Sequence, residues 1–317
     1  MRALFFGTPA FAVPSLDALR EVADVVGVVC QPDKPQGRGL TVAPPPVKAR
    51  AESLGIPVVQ PTKLKTGEFA AWVRGENAEV ALVVAYGRIL PADVLASTRL
   101  GFVNVHASLL PKYRGAAPIE WAIVNGERET GITLMLLDEG MDTGDMLDEV
   151  KTPIGPDETA GELSARLAIL GANAVRKKLP CFVRGELTRT PQHHARATLA
   201  PMLDKKDGAI DWRLPAARIH DQVRGMNPRP GAFTRLGAKI VKVHATAARP
   251  GTRAGAAPGE VILADKSRVV VACGPRGEDA IEIVRLQLEG KKPVRAAEWV
   301  AGRGVKEGDA FSIAEIG

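Results

Sequence analysis

The chain has few cysteines, no long apolar run and none of the glycine-rich signatures of phosphate-binding loops. Cys30, Cys181 and Cys273 are odd in number and far apart, so they make no disulfide framework and no CxxC metal pair; they predict a reducing, cytoplasmic setting. No segment reaches the roughly 20 consecutive apolar residues that span a bilayer, so no membrane association is expected. The opening MRALFFGTPAFAVPSL is basic then apolar, but Gly7, Pro9 and Pro14 interrupt it. That pattern reads as a first strand and a helix start, not as a signal peptide. There is no GKS/T loop, and FFGTPAFA has one glycine where a dinucleotide fingerprint has three, which argues against a nicotinamide cofactor. His193 and His194 have no carboxylate or thiol at ligand spacing, so no metal is expected. Internal repeats and low-complexity tracts are also missing.

What is present is an ordinary globular composition, 45% hydrophobic and 25% charged, over 317 residues, enough for two domains. In the first half, apolar runs (RALFF, DVVGVV, IPVVQ, EVALVVA, GFVNVH, GITLMLLD) alternate with helical segments such as PSLDALREV, VKARAESLG and APIEWAIVNG. Apolar runs without polar alternation predict strands buried on both faces. The expected fold is α/β, a doubly wound Rossmann-like parallel sheet over residues 1–188. A polar, proline-punctuated stretch follows, and residues 189–206 are expected to be a linker. Beyond it, AKIVKVHAT, GEVILAD, RVVVACG and AIEIVRLQLEG are short strands between Gly/Pro turns, predicting a smaller, mostly antiparallel, OB-like β-barrel over 207–317. From Asp207 onward 18 Lys and Arg face 13 Asp and Glu, and the remainder is nearly balanced within a net charge of +6. A basic module beside a neutral one suggests a polyanionic partner.

The chemistry concentrates at the end of GFVNVH. Residues two apart on a strand share a face, so Asn104 and His106 project together into the crevice where open parallel sheets bind ligands. Neither is economical to bury without a partner. ITLMLL ends in a loop holding Asp138, Glu139, Asp142 and Asp145; if the two strand ends are close, one of these carboxylates reaches His106. A carboxylate would orient the imidazole and favour its charged form, and Asn104 could hold a developing oxyanion. With no nucleophilic Ser or Cys in the constellation, direct attack of one substrate on another is the expected reaction.

NVHASLLPKYRGAAPI followed by ETGITLMLLDEGMDTGDML resembles the 10-formyltetrahydrofolate-dependent formyltransferases. VVCQPDKPQGRG, VVAYGRILP and IDWRLPAARIHDQVRGMNPRPGAFT extend the resemblance, over nearly the whole chain, to the branch that formylates initiator methionyl-tRNA. The resemblance implies that Asn104, His106 and Asp142 are catalytic. It implies that Ser108, Leu109, Leu110 and Pro111 contact the folate co-substrate, with Tyr86 walling the same pocket. It also implies that Arg38, in a long Gly/Pro-rich loop over 32–46, enters the tRNA acceptor stem, with Lys205 and Lys206 as further tRNA contacts. The protein is expected to act as a monomer, without metal. The alternative within the family is a formyltransferase acting on a nucleotide-sugar or ribonucleotide amine.

Overall fold

A computed structural model describes residues 1–36, 41–249 and 255–314. The chain divides into two compact units interleaved in sequence. The first comprises Met1–Pro118, Glu129–Pro153 and Ser164–Pro201; the second takes Ile119–Arg128, Ile154–Leu163 and the chain from Met202.

The first unit is built on seven strands: β1 (Arg2–Gly7), β2 (Asp24–Val29), β3 (Val58–Val59), β4 (Val80–Val84), β5 (Phe102–His106), β6 (Glu129–Leu136) and β7 (Met146–Pro153). Their order across the sheet is β7-β6-β5-β4-β1-β2-β3. The chain winds outward from β1 in both directions, and β1 to β5 are parallel. Every residue of β4 is buried, as its unbroken apolar sequence predicts. One face is packed by Leu4, Phe6, Phe69, Tyr86 and Phe102, with the Phe6 and Phe102 rings 5.2 Å apart. The helix α1 (Val13–Val22), opened by Pro14, buries Leu16, Ala18 and Leu19. The helix α2 (Ala160–Val183) runs past Val105 so closely that a Cβ at Gly171 would lie 2.9 Å from that side chain.

Two features depart from the sequence expectation. The strand GITLMLLD is not parallel: β6 pairs antiparallel with β5, setting Thr133 opposite His106 and Leu136 opposite Val103. The edge strand β7, unrecognised in MLDEVKTP, alternates half-buried and exposed residues from Asp148 to Pro153, as a strand covered on one face does. Gly131, on β6 opposite Lys151 of β7, is tightly enclosed. A Cβ there would fall 2.2 Å from the Val150 carbonyl oxygen and 2.5 Å from Leu109 Cδ2.

The second unit is an antiparallel sheet of β8 (Ala232–Leu236), β9 (Lys239–Arg249), β10 (Val261–Ala264), β11 (Val269–Cys273), β12 (Asp279–Leu288) and β13 (Phe311–Ser312), ordered β10-β11-β12-β9-β8-β13, with a short strand at Val294–Arg295 added to β12. Its edges meet. The Val261 N–H donates to the Asp309 carbonyl and the Phe311 N–H to the Gly259 carbonyl, each at 2.8 Å, so the sheet curls into a barrel. Trp212 and Phe311 stack inside it at 5.4 Å. The helix α3 (Ala216–Gly225) packs on the barrel, and its buried Arg224 pairs with Asp221 at 2.7 Å. Arg224 also donates to the carbonyls of Gly155 and Glu158, which ties 154–163 into this unit.

Gly131→Ala is expected to lower stability by roughly 1–3 kcal/mol through overpacking against the β7 backbone. A denaturant unfolding curve checks this, and a midpoint equal to that of the native sequence would contradict the packing described.

Candidate active site

The β-strand geometry of β5 sets Asn104 and His106 on one face, as two-residue spacing requires. The imidazole is 5% exposed. Its Nε2 lies 2.9 Å from the Tyr113 carbonyl oxygen. A carbonyl only accepts, so Nε2 carries the hydrogen and the ring presents Nδ1 on its other edge. Nδ1 is 3.6 Å from Asp142 Oδ2, longer than a hydrogen bond. The Asn104 side chain has no hydrogen-bond partner among the described residues, leaving its amide for a ligand.

Asp142 does not reach His106 through adjacent strand ends. Because β6 is antiparallel to β5, its last residue Leu136 sits opposite Val103, three residues before His106. The loop after β6 makes up the difference. Of its four carboxylates, Asp142 is the one that faces the imidazole; Asp138 instead accepts from Gly140 N–H and Thr143 Oγ1 within the loop.

Both neighbours of His106 have left-handed backbone, with φ of 61° at Tyr113 and 55° at Asp142. For residues with a side chain this costs about 1–2 kcal/mol each, and it persists only where surrounding contacts enforce it. Those contacts are present. The Tyr113 N–H donates to Thr198 Oγ1 at 2.9 Å, and the Gly115 N–H to Asp142 Oδ2 at 2.8 Å. Arg114–Gly115 pairs in parallel with Leu199–Ala200, and only glycine fits at 115, where φ is 122° and a Cβ would lie 2.7 Å from the Ala200 carbonyl. Within the segment expected to be a linker, residues 190–200 thus pair with the first unit.

The Ser108–Pro111 loop follows His106 directly. Ser108 is fully buried, and its hydroxyl donates to the Lys112 carbonyl at 2.7 Å. Thr133, which sequence reasoning missed, is the hub of this loop. Its hydroxyl donates to the Ser108 carbonyl at 2.7 Å and accepts from the Leu110 N–H at 3.1 Å. A lone threonine in the apolar run ITLML was the signal. Leu109 and Pro111 are half-buried and Leu110 is buried.

The Tyr86 ring is buried among core side chains, edge-on to Phe6 at 5.6 Å. Its carbonyl, at the end of β4, accepts from Thr8 Oγ1 and Gln31 Nε2. Arg38 lies outside the described residues. At the base of its loop, Asp33 accepts from Lys48 Nζ and Gln60 Nε2, each at 2.7 Å, and these bonds hold its carboxyl below the usual range. Lys205 and Lys206 are exposed on a short 3-10 turn capped by Asp204, and neither is in an ion pair among the described residues.

The Formyl transferase model matches residues 1–179, and the model for the formyl transferase C-terminal domain matches residues 202–304. The chain belongs to the formyltransferase family. A methionyl-tRNA formyltransferase of Sorangium cellulosum (strain So ce56) is 58% identical over 97% of this chain and 98% of its own length. The methionyl-tRNA formyltransferase of Myxococcus xanthus (strain DK1622) is 48% identical over 99% of this chain and 98% of its own length. Among solved structures, an N-formyltransferase from Helicobacter canadensis, in complex with folinic acid and dTDP-3-aminofucose, shares the fold. Its TM-score is 0.65 at 18% identity, covering 88% of this chain and 97% of that one. Formyltransferases of this family take 10-formyltetrahydrofolate as formyl donor. Among the described residues, no three His, Cys, Asp or Glu side chains are grouped to hold a metal, and no helix is long and apolar enough to cross a membrane.

Thr133→Val strands the buried Ser108 carbonyl and Leu110 amide, at a cost of about 1–3 kcal/mol. Its expected signature is a raised KM for the formyl donor together with a lowered Tm. An unchanged KM would separate this loop from folate binding.

Proposed function

We propose that this chain transfers the formyl group of 10-formyltetrahydrofolate to the amino group of methionine esterified to initiator tRNA. The observation that carries the reading is His106. It is held by the Tyr113 carbonyl at Nε2 and presents Nδ1 beside Asp142 and, on the same strand face, the unengaged amide of Asn104. Such a site polarises a carbonyl and moves a proton, and it has no need of a protein nucleophile. The full-length likeness to methionyl-tRNA formyltransferases supports the choice of acceptor.

In this mechanism the methionyl amine attacks the formyl carbon. Negative charge develops on the formyl oxygen, where the Asn104 N–H and the protonated His106 Nδ1 donate to it. Asp142 orients His106 and balances its charge. The attacking nitrogen loses one proton, the folate N10 gains one, and collapse of the tetrahedral adduct breaks the N10–carbon bond. The Ser108–Pro111 loop holds the folate beside this point. Its Ser108 carbonyl and Leu110 amide are already taken by Thr133, so its half-buried Leu109 and Pro111 supply apolar contact.

The tRNA is met by Arg38, whose guanidinium suits bidentate pairing with phosphate or a base edge, and by Lys205, Lys206 and the basic barrel. The Asp33–Lys48–Gln60 network anchors the Arg38 loop where it leaves the sheet. Two of three free thiols are buried, with Cys30 pushed up to about 11 and Cys273 to about 12, chiefly by burial.

His106→Ala is expected to lower kcat/KM for formyl transfer by about 10²–10⁴-fold, with binding of charged initiator tRNA close to that of the native sequence. Native turnover by this variant would overturn the assignment. Arg38→Ala is expected to raise KM for the tRNA at least about tenfold and to leave KM for the formyl donor in place. Equal changes in both would contradict a tRNA-specific role.

A further inference from the structure

Gln192 belongs to a polar stretch with no periodicity, yet in the fold it is 5% exposed. The chain around it returns to the first unit on both sides, through the Met146–Thr190 bridge and the pairing of Leu199–Ala200 with Arg114–Gly115. Arg114, itself buried, donates to Gln192 Oε1 from Nε at 3.1 Å and from Nη2 at 2.6 Å. A guanidinium only donates, so these bonds fix which end of the amide faces Arg114. Nε2 must then point the other way, where it donates to the main-chain carbonyls of Asp142 at 2.9 Å and Gly144 at 2.8 Å. Both amide hydrogens and both lone pairs are used.

The residue so gripped is the one whose backbone is left-handed, with φ of 55° at Asp142. A conformation of that kind needs enforcement from outside the residue. We infer that Gln192 is a positioning residue. By holding the Asp142 and Gly144 carbonyls it keeps the Asp142 carboxylate opposite His106 Nδ1, while Arg114 locks the amide in the orientation that does so. The inference rests on the reading of Asp142 and His106 given above as working groups. It extends the working site to a side chain that touches neither substrate.

Two variants of the full-length protein test it. Gln192→Met keeps the volume and removes every bond; Gln192→Glu keeps an acceptor for Arg114 but turns a carboxylate oxygen toward two carbonyls. The first readout needs no substrate: ring 15N NMR of His106, assigned by its loss in His106→Ala. Both variants are expected to move the Nδ1 resonance, and unmoved resonances overturn the inference. The second readout is steady-state formyl transfer. The expected result is a fall in kcat of about 10- to 100-fold, with KM for the formyl donor within about threefold of the native value and an altered shape of the pH–rate profile. A fall in kcat that only tracks the folded fraction, with an unchanged profile, also overturns it. If Gln192→Met fails to fold because Arg114 loses its acceptor, Gln192→Glu decides both readouts. If the native protein does not formylate charged tRNA, the functional reading fails, and the NMR comparison still decides the role of Gln192.

Discussion

The site depends on one constraint: an almost fully buried imidazole stands between two oxygen acceptors of residues in left-handed backbone, hydrogen-bonded to one and 3.6 Å from the other. The Tyr113 carbonyl takes Nε2, and the Asp142 carboxylate stands off Nδ1. Neither acceptor would be where it is with relaxed φ. The surroundings therefore carry the enforcement: Thr198 on Tyr113, the Gly115 amide on the Asp142 carboxylate, and Gln192 on the Asp142 carbonyl. Three of these braces converge from outside the sheet, and two come from the ordered segment over 190–200. A site made this way is pre-organised before any substrate arrives, which is the condition for electrostatic stabilisation to act without reorganisation.

The sheet explains why the constellation sits where it does. Winding outward from β1 opens a crevice at the carboxyl ends of the parallel strands, and β5 delivers Asn104 and His106 there. The antiparallel β6 then serves two purposes. It places Thr133 directly across from His106, where its hydroxyl organises the Ser108–Pro111 loop. It also ends far from His106, so a long acidic loop has to return, and that return generates the strained Asp142. Close backbone approaches at Gly115 and Gly131 leave no room for a Cβ on either side of the arrangement.

Much of this was legible in the sequence. Unbroken Val/Leu/Ile runs announced buried parallel strands, and the two-residue spacing of Asn104 and His106 announced a shared face. The short strands after residue 207 announced a barrel. What the sequence hid was set by tertiary contact. The antiparallel sense of β6 leaves no trace in a strand buried on both faces. Gln192, in TRTPQHHARATLAP, looks like any solvated polar residue, and its importance comes only from the two carbonyls it meets. The burial of the Tyr86 ring beside Phe6 is likewise a tertiary contact that the sequence does not display. Arg38 stays a reading of the resemblance.

The central claim is that the acceptor amine is the methionyl group on initiator tRNA. The most direct measurement is formyl transfer from 10-formyltetrahydrofolate by the native protein, comparing charged initiator methionyl-tRNA with uncharged tRNA, free methionine and nucleotide-linked amino sugars. The account predicts product with the charged tRNA alone. Product with an amino sugar in preference to the charged tRNA would contradict it.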